Sequence, residues 1–120
     1  MSKVLVHITC GPENPTKAAL GFLVARTALA EGHDVSLFLA ADGVQLMRDA
    51  VLDNLAGLGT GQLREHFDDI VTAGGEFYLS GMSSKARGLA ESDLTGKPVE
   101  MAMPDVLLKL SLAADATLTY

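Results

Sequence analysis

The sequence predicts an α/β domain, a three-layer α/β/α sandwich with a parallel sheet between helices, and three observations carry that prediction. Short aliphatic and β-branched runs alternate with segments of helical period along the whole chain. The first run, Lys3 to Thr9, has the continuous apolarity of a strand covered on both faces. Hydrophobic residues make up 48% of the 120 residues, which is enough for a core without a disulfide or metal staple. Aromatics are only 5% and tryptophan is absent, so that core is mainly aliphatic.

Each element follows from local signals. Lys3 to Thr9 is the first strand, ending near Cys10. After the loop GPEN, Asn14 is a helix cap and Pro15 takes the first helical position. Ala18, Phe22, Ala25 and Leu29 then recur at helical spacing until Gly32 stops the helix. Val35 to Leu39 is the second strand, Gly43 to Val51 a short helix, and the glycines of LAGLGTG break it. Gln62 to Ala73 is a helix with Leu63, Phe67 and Ile70 on one side, ended by Gly74 and Gly75. Glu76 to Leu79 is the third strand, Ser83 to Ala90 a helix, and Val99 to Met103 the fourth strand. Pro104 to Ala113 is a helix, and Ala116 to Thr119 the fifth strand. No linker or repeat interrupts this order, so residues 1–120 read as one domain.

Charge and composition restrict the partners. Nine basic against fifteen acidic residues give a net charge of −6, which disfavours nucleic acid and anionic membrane surfaces. No run is long and apolar enough to span a bilayer, and MSKVLVHITC reads as a buried strand rather than a signal peptide. A small molecule or a protein is the expected partner. The lone Cys10 excludes an internal disulfide and is compatible with a reducing cytoplasm, the expected location. The first helix, with Leu20, Leu23 and Val24 besides its periodic residues, is apolar nearly all round, which predicts cover from a second subunit and a homo-oligomer.

The candidate site is SGMSSKARGL, Ser80 to Leu89, between the third strand and the helix after it. Ligands of open α/β sheets sit at the carboxyl ends of strands. Gly81 permits a sharp turn, Ser83 or Ser84 can cap the next turn, and Lys85 and Arg87 add positive charge. With Ser80 and Met82 these residues form a candidate anion site that lacks any cysteine, histidine or carboxylate for bond-making. The same residues would also serve simply to cap and solvate their helix. Met82, Met101 and Met103 are candidates for lining an adaptable pocket, although core filling is the commoner use of methionine.

Other residues carry less. His7, His33 and His66 show no metal-ligand spacing, so no metal site is expected. LAGLGTG lacks the lysine and the strand-to-helix context of a phosphate loop, so it reads as a flexible connection and no cofactor is expected. Asp68 and Asp69 are adjacent and point apart. Asp42 before Gly43 reads as a helix cap.

The strand KVLVHIT, the segment GPENPTKAALGFLVARTALAEGHDVSLFL, the turn ADGV, the stretch GGEFYLSGMSSKARGL and the closing ADATLTY together resemble the DsrE/DsrF-like family with the YchN-like fold, over essentially the full length. The resemblance implies a five-stranded parallel sheet in the order 2-1-3-4-5, homo-oligomeric assembly, and a link to cytoplasmic sulfur-relay proteins that carry persulfide on a cysteine. Sulfur carriers of that family place the cysteine just after the third strand, where this chain reads Ser80, Gly81, Met82, Ser83. A hydroxyl cannot replace that thiol, because persulfide chemistry needs a polarisable sulfur that is largely thiolate near neutral pH.

Two readings follow. In one, the chain is a noncatalytic protein that binds a small anion or a protein partner. In the other, Cys10 carries the persulfide and a sulfur-relay protein is the partner. In the implied strand order the first and third strands are neighbours, so the loops after Thr9 and Leu79 would share a crevice bordered by Cys10. Its place just before a helix start would lower the thiol pKa if the orientation is right.

Overall fold

The computed structural model describes residues 1–120. Strand β1 (Lys3–Ile8) leads through helix α1 (Pro15–Ala30) to β2 (Asp34–Leu39). A 3-10 helix (Ala41–Met47), the short α2 (Asp49–Leu52) and a small hairpin of β3 (Ala56–Gly57) and β4 (Gly61–Gln62) lead to α3 (Leu63–Thr72). Then come β5 (Glu76–Ser80), α4 (Gly81–Ala86), a 3-10 turn (Glu91–Leu94), β6 (Val99–Ala102), α5 (Pro104–Ala113) and β7 (Ala116–Thr119). At the start of α1, Asn14 accepts from the Lys17 amide at 3.3 Å and Pro15 fills the first turn, as the sequence predicts.

The main sheet has five strands, all parallel, in the order β6-β5-β2-β1-β7. Numbering only these five along the chain gives 4-3-2-1-5, not the 2-1-3-4-5 that the family resemblance implies. The burial of β2 gives the physical reason. Val35, Leu37 and Leu39 are buried on one face and Phe38 on the other, so β2 needs covered neighbours on both sides and cannot be an edge. The edge place that β2 would have taken belongs to β6, whose Glu100 and Met101 are exposed, while β7, exposed throughout, is an edge in either order.

The same order sets the layers. Three connections step one way, from β1 to β2 to β5 to β6, and right-handed crossovers keep α1 and α3 on one face. The last connection runs back across the sheet to β7 and so puts α5 on the other face. The larger core lies under α1 and α3, where Phe77 stacks against Phe22 and Phe67 at centroid distances of 5.8 and 5.1 Å. The smaller core holds Leu5, Phe38 and Ala102 beneath Val106, Leu107 and Leu110 of α5. No helix is long and apolar enough to cross a membrane.

Local differences from the sequence reading have local causes. The Gly43 to Val51 helix is split, because Arg48 is extended between the 3-10 helix and α2. LAGLGTG is not a loose connection but the hairpin, pinned where the Leu58 amide donates to Thr16 Oγ1 at 3.0 Å and Thr60 Oγ1 donates to the Thr16 carbonyl at 3.1 Å. His66 bonds the Thr60 carbonyl through Nε2 at 2.7 Å and meets Arg26 through Nδ1 at 3.2 Å, which places its proton on Nε2. Arg26 also pairs with Asp69. This hairpin and α3 cover part of α1 from within the chain, while Leu20 stays exposed.

His7 lies on the α5 face of β1, edge-on to Phe38 at 6.0 Å, and its buried Nε2 has no hydrogen-bond partner. Burial pushes the imidazole pKa down. The unfolded chain therefore binds the proton more readily, and this contribution to stability, present above about pH 6.5, is lost as pH falls from there through the lower folded value. A His7→Leu variant is expected to lose less melting temperature than the parent between about pH 7.5 and pH 5.5. Parallel losses in the two proteins would contradict the assignment.

Candidate functional site

The loops at the carboxyl ends of the strands interlock through backbone approaches that only glycine allows. A Cβ on Gly11 would collide with the Asp42 carbonyl, and one on Gly43 with the carbonyl of Ile8. The loop after β2 thus lies against the loop after β1. On its other side the Ala41 amide donates to Ser83 Oγ at 2.8 Å, and Arg87 Nε donates to Asp42 Oδ1 at 3.0 Å. Ala41 itself has a φ of 51°, a strained value for a side-chain-bearing residue, and that serine bond helps to hold it. The loops after β1 and β5 therefore do not share a crevice. β2 and its 3-10 helix stand between them, and Asp42 bridges to Arg87 rather than capping a helix.

The residues of the predicted anion site are largely committed to the fold. Ser80, not Ser83 or Ser84, caps α4, accepting from the Ser83 amide at 3.1 Å, so the helix starts at Gly81. Ser83 holds Ala41, and Ser84 is buried with its hydroxyl unpartnered. Arg87 is spent on Asp42 and on the Ser83 carbonyl at 3.3 Å. Lys85 is exposed. Two further cations strap down the segment that follows. Arg48 reaches the Arg87 carbonyl at 2.8 Å and Asp93 at 3.2 Å, and Lys97 reaches Asp49 at 2.9 Å and the Asp93 carbonyl at 2.6 Å. Hydrogen bonds from Lys97 and then Arg64 hold the Asp49 carboxyl below its ordinary range.

Cys10 is buried in the larger core. Burial first, and the negative charge of Glu13 second, push its thiol pKa up, and the opposing pull of Lys17 is smaller. Glu13 is fixed there because the Gly11 amide donates to both of its carboxylate oxygens, at 2.7 and 3.0 Å. The sequence expectation of a thiol acidified by the start of α1 is thus reversed, by burial first and by the Glu13 carboxylate second.

The opening at the strand ends lies elsewhere. The chain leaves β5 for α4 on the α1 side of the sheet and leaves β6 for α5 on the opposite side, so adjacent strand ends diverge there, as at a topological switch point. Between them is a crevice of about 300 Å³ lined by Gly81, Met101, Ala102, Met103, Asp105 and Val106. Met101 and Met103 are two residues apart in extended backbone and so point to the same side. A Cβ at Gly81 would lie in ordinary contact with this wall, 3.7 Å from Met103 Sδ. Met82, the next residue, is exposed beside it. Of the predicted residues, Gly81 lines this crevice together with Met101 and Met103, and Met82 follows Gly81 in the chain. Asp105 and Val106 were not foreseen, although MAMP followed by Asp already signals a strand end running into a helix start.

Comparison with known proteins agrees with this architecture. A family model described as the DsrE/DsrF-like family matches residues 2–120. The uncharacterized protein MK0008 of Methanopyrus kandleri is 34% identical over 104 residues, covering 82% of this chain and 78% of that protein. The crystal structure of the ychN protein from E. coli superposes with a TM-score of 0.70 at 22% identity, over 100% of both chains. A conserved protein of unknown function, BT1422 from Bacteroides thetaiotaomicron, superposes with a TM-score of 0.71 at 13% identity over 99% of this chain and 95% of its own.

Proposed function

Because this chain belongs to the DsrE/DsrF-like family yet has no cysteine after β5, we propose that it is a noncatalytic binding member of that family, working in the cytoplasm, whose crevice between β5 and β6 takes an apolar segment of a protein partner. The observation that carries this reading is the crevice itself, an open cleft with Met101 and Met103 in its wall and a single charged group, Asp105, in its lining. Unbranched thioether side chains adapt to different apolar partners, which suits a docking surface more than a tight small-molecule pocket. A net charge of −6 and the Asp105 carboxylate favour a segment whose apolar anchor is flanked by lysine or arginine. A small anion fits less well, because Ser80, Ser83 and Arg87 are occupied within the fold.

Persulfide carriage on Cys10 is the competing chemistry, and the direction of its pKa shift argues against it, since the thiolate is the reactive form. Mass spectrometry of the native protein after incubation with a polysulfide donor is expected to show no added sulfur on Cys10. In parallel, random peptides selected on the wild-type protein are expected to converge on apolar residues flanked by basic ones. They should lose binding to Met101→Asp and Met103→Asp variants and keep it with Cys10→Ala. A persulfide on Cys10, or selected peptides indifferent to both aspartates, would overturn the reading.

We propose that copies of the chain associate through the exposed Leu108 and Leu112 of α5 and Leu118 of β7. Sedimentation of a Leu108→Lys, Leu112→Lys variant would then give a smaller particle than the wild type.

A further inference from the structure

The five methionines of the chain fall into distinct environments. Met47 is fully buried in the larger core and Met1 is the exposed first residue, whereas Met101 and Met103 line the crevice and Met82 adjoins its Gly81, with 46%, 50% and 60% of their surface exposed. The only other sulfur, Cys10, is 8% exposed, and its thiol is held protonated by burial and by Glu13. Reaction with a peroxide requires access and, for cysteine, the thiolate. Both conditions direct an oxidant away from the cysteine and toward the thioethers at the crevice.

We propose that Met82, Met101 and Met103 form a peroxide-sensitive modification site that switches the crevice between an apolar and a polar state. A thioether lone pair attacks one peroxide oxygen, the new S–O bond forms as the O–O bond breaks, and proton transfer releases water or an alcohol. The sulfur is oxidised by two electrons and the peroxide is reduced by two. A dithiol reductase reverses the step, taking the oxygen out as water while its two thiols become a disulfide. The product sulfoxide is a strong acceptor on a flexible stem. Buried beneath an apolar segment without a donor, it would carry the penalty of an unsatisfied polar group. The consequence for binding rests on the docking function proposed above, whereas the oxidation pattern does not.

Peptide mapping by mass spectrometry during exposure to dilute hydrogen peroxide tests the site. One added oxygen is expected on Met82, Met101 and Met103 well before Met47, with none on Cys10 and with Met1 marking the rate of a free thioether. Oxidation of Met47 or Cys10 at the same rate as the crevice methionines would overturn the proposal. The switch is tested with the selected apolar peptide flanked by basic residues. Its affinity should fall about tenfold or more on oxidation and return after treatment with methionine sulfoxide reductase. A variant with all three methionines replaced by leucine should bind the peptide equally before and after peroxide. Unchanged affinity of the oxidised wild type would overturn the switch and leave the docking function standing. Absence of binding before any peroxide would overturn the docking function and the switch with it, while the oxidation map would still decide the modification site.

Discussion

Replacing Phe77 with alanine is expected to destabilise the protein by about 3–5 kcal/mol, the usual range for removing a large buried aromatic ring. Phe77 is 2% exposed and joins three elements, since its ring on β5 meets Phe22 of α1 at 5.8 Å and Phe67 of α3 at 5.1 Å. Truncation leaves a cavity between two helices and the sheet, which cannot collapse without moving both helices. Domains of this size are usually stable by only about 5–15 kcal/mol, so the variant should unfold at much lower urea concentration with little change in slope. A loss below about 1 kcal/mol would mean that the three rings are not packed together as described.

Gly11→Ala should be the most damaging single methyl addition among the loops, costing about 1–3 kcal/mol as overpacking does. The added Cβ meets the Asp42 backbone carbonyl, which cannot swing aside as a side-chain end could. Relief requires the loop after β1 to part from the loop after β2. That movement would also disturb Ala41 and Asp42, which hold Ser83 and Arg87 of the neighbouring segment. Gly59→Ala is a suitable reference, because nothing lies near its added Cβ and only its positive φ of 78° opposes the change. Equal denaturation midpoints for the Gly11→Ala protein and the wild type would contradict the interlocked loops.

Much of the fold is legible in the sequence because its signals are local. The apolar runs VLVHI and FYL, the Asn14-Pro15 helix start and the Pro104 helix start each depend on neighbouring residues alone, and they lie where the sequence reading puts them. Strand order is not local. It depends on which strand is covered on both faces, and the cue was the contrast between DVSLFL, buried on both sides, and VEMA, whose Glu100 and Met101 are exposed as on an edge. The hairpin escaped notice because its strands are two residues each and owe their position in large part to Thr16, far away in sequence.

The site was legible only in part, for a similar reason. Gly81 and Met82 stand at the crevice, yet the polar residues of SGMSSKARGL look like ligand donors in sequence because their internal partners, Ala41 and Asp42, come about forty residues earlier. Folding consumes those donors. It leaves a thioether-lined opening at the point where the chain turns to opposite faces of the sheet, and that point moved once strand order was corrected. The same correction removes Cys10 from the neighbourhood of β5, since the whole of β2 lies between.

The docking crevice is tested most directly by methionine methyl NMR on protein carrying carbon-13 in its methionine methyl groups, titrated with a selected apolar peptide flanked by basic residues. The account predicts that the resonances of Met101 and Met103 shift first and furthest, that Met82 follows, and that Met47, fully buried in the core, stays in place. A peptide that binds while leaving Met101 and Met103 unshifted would contradict it.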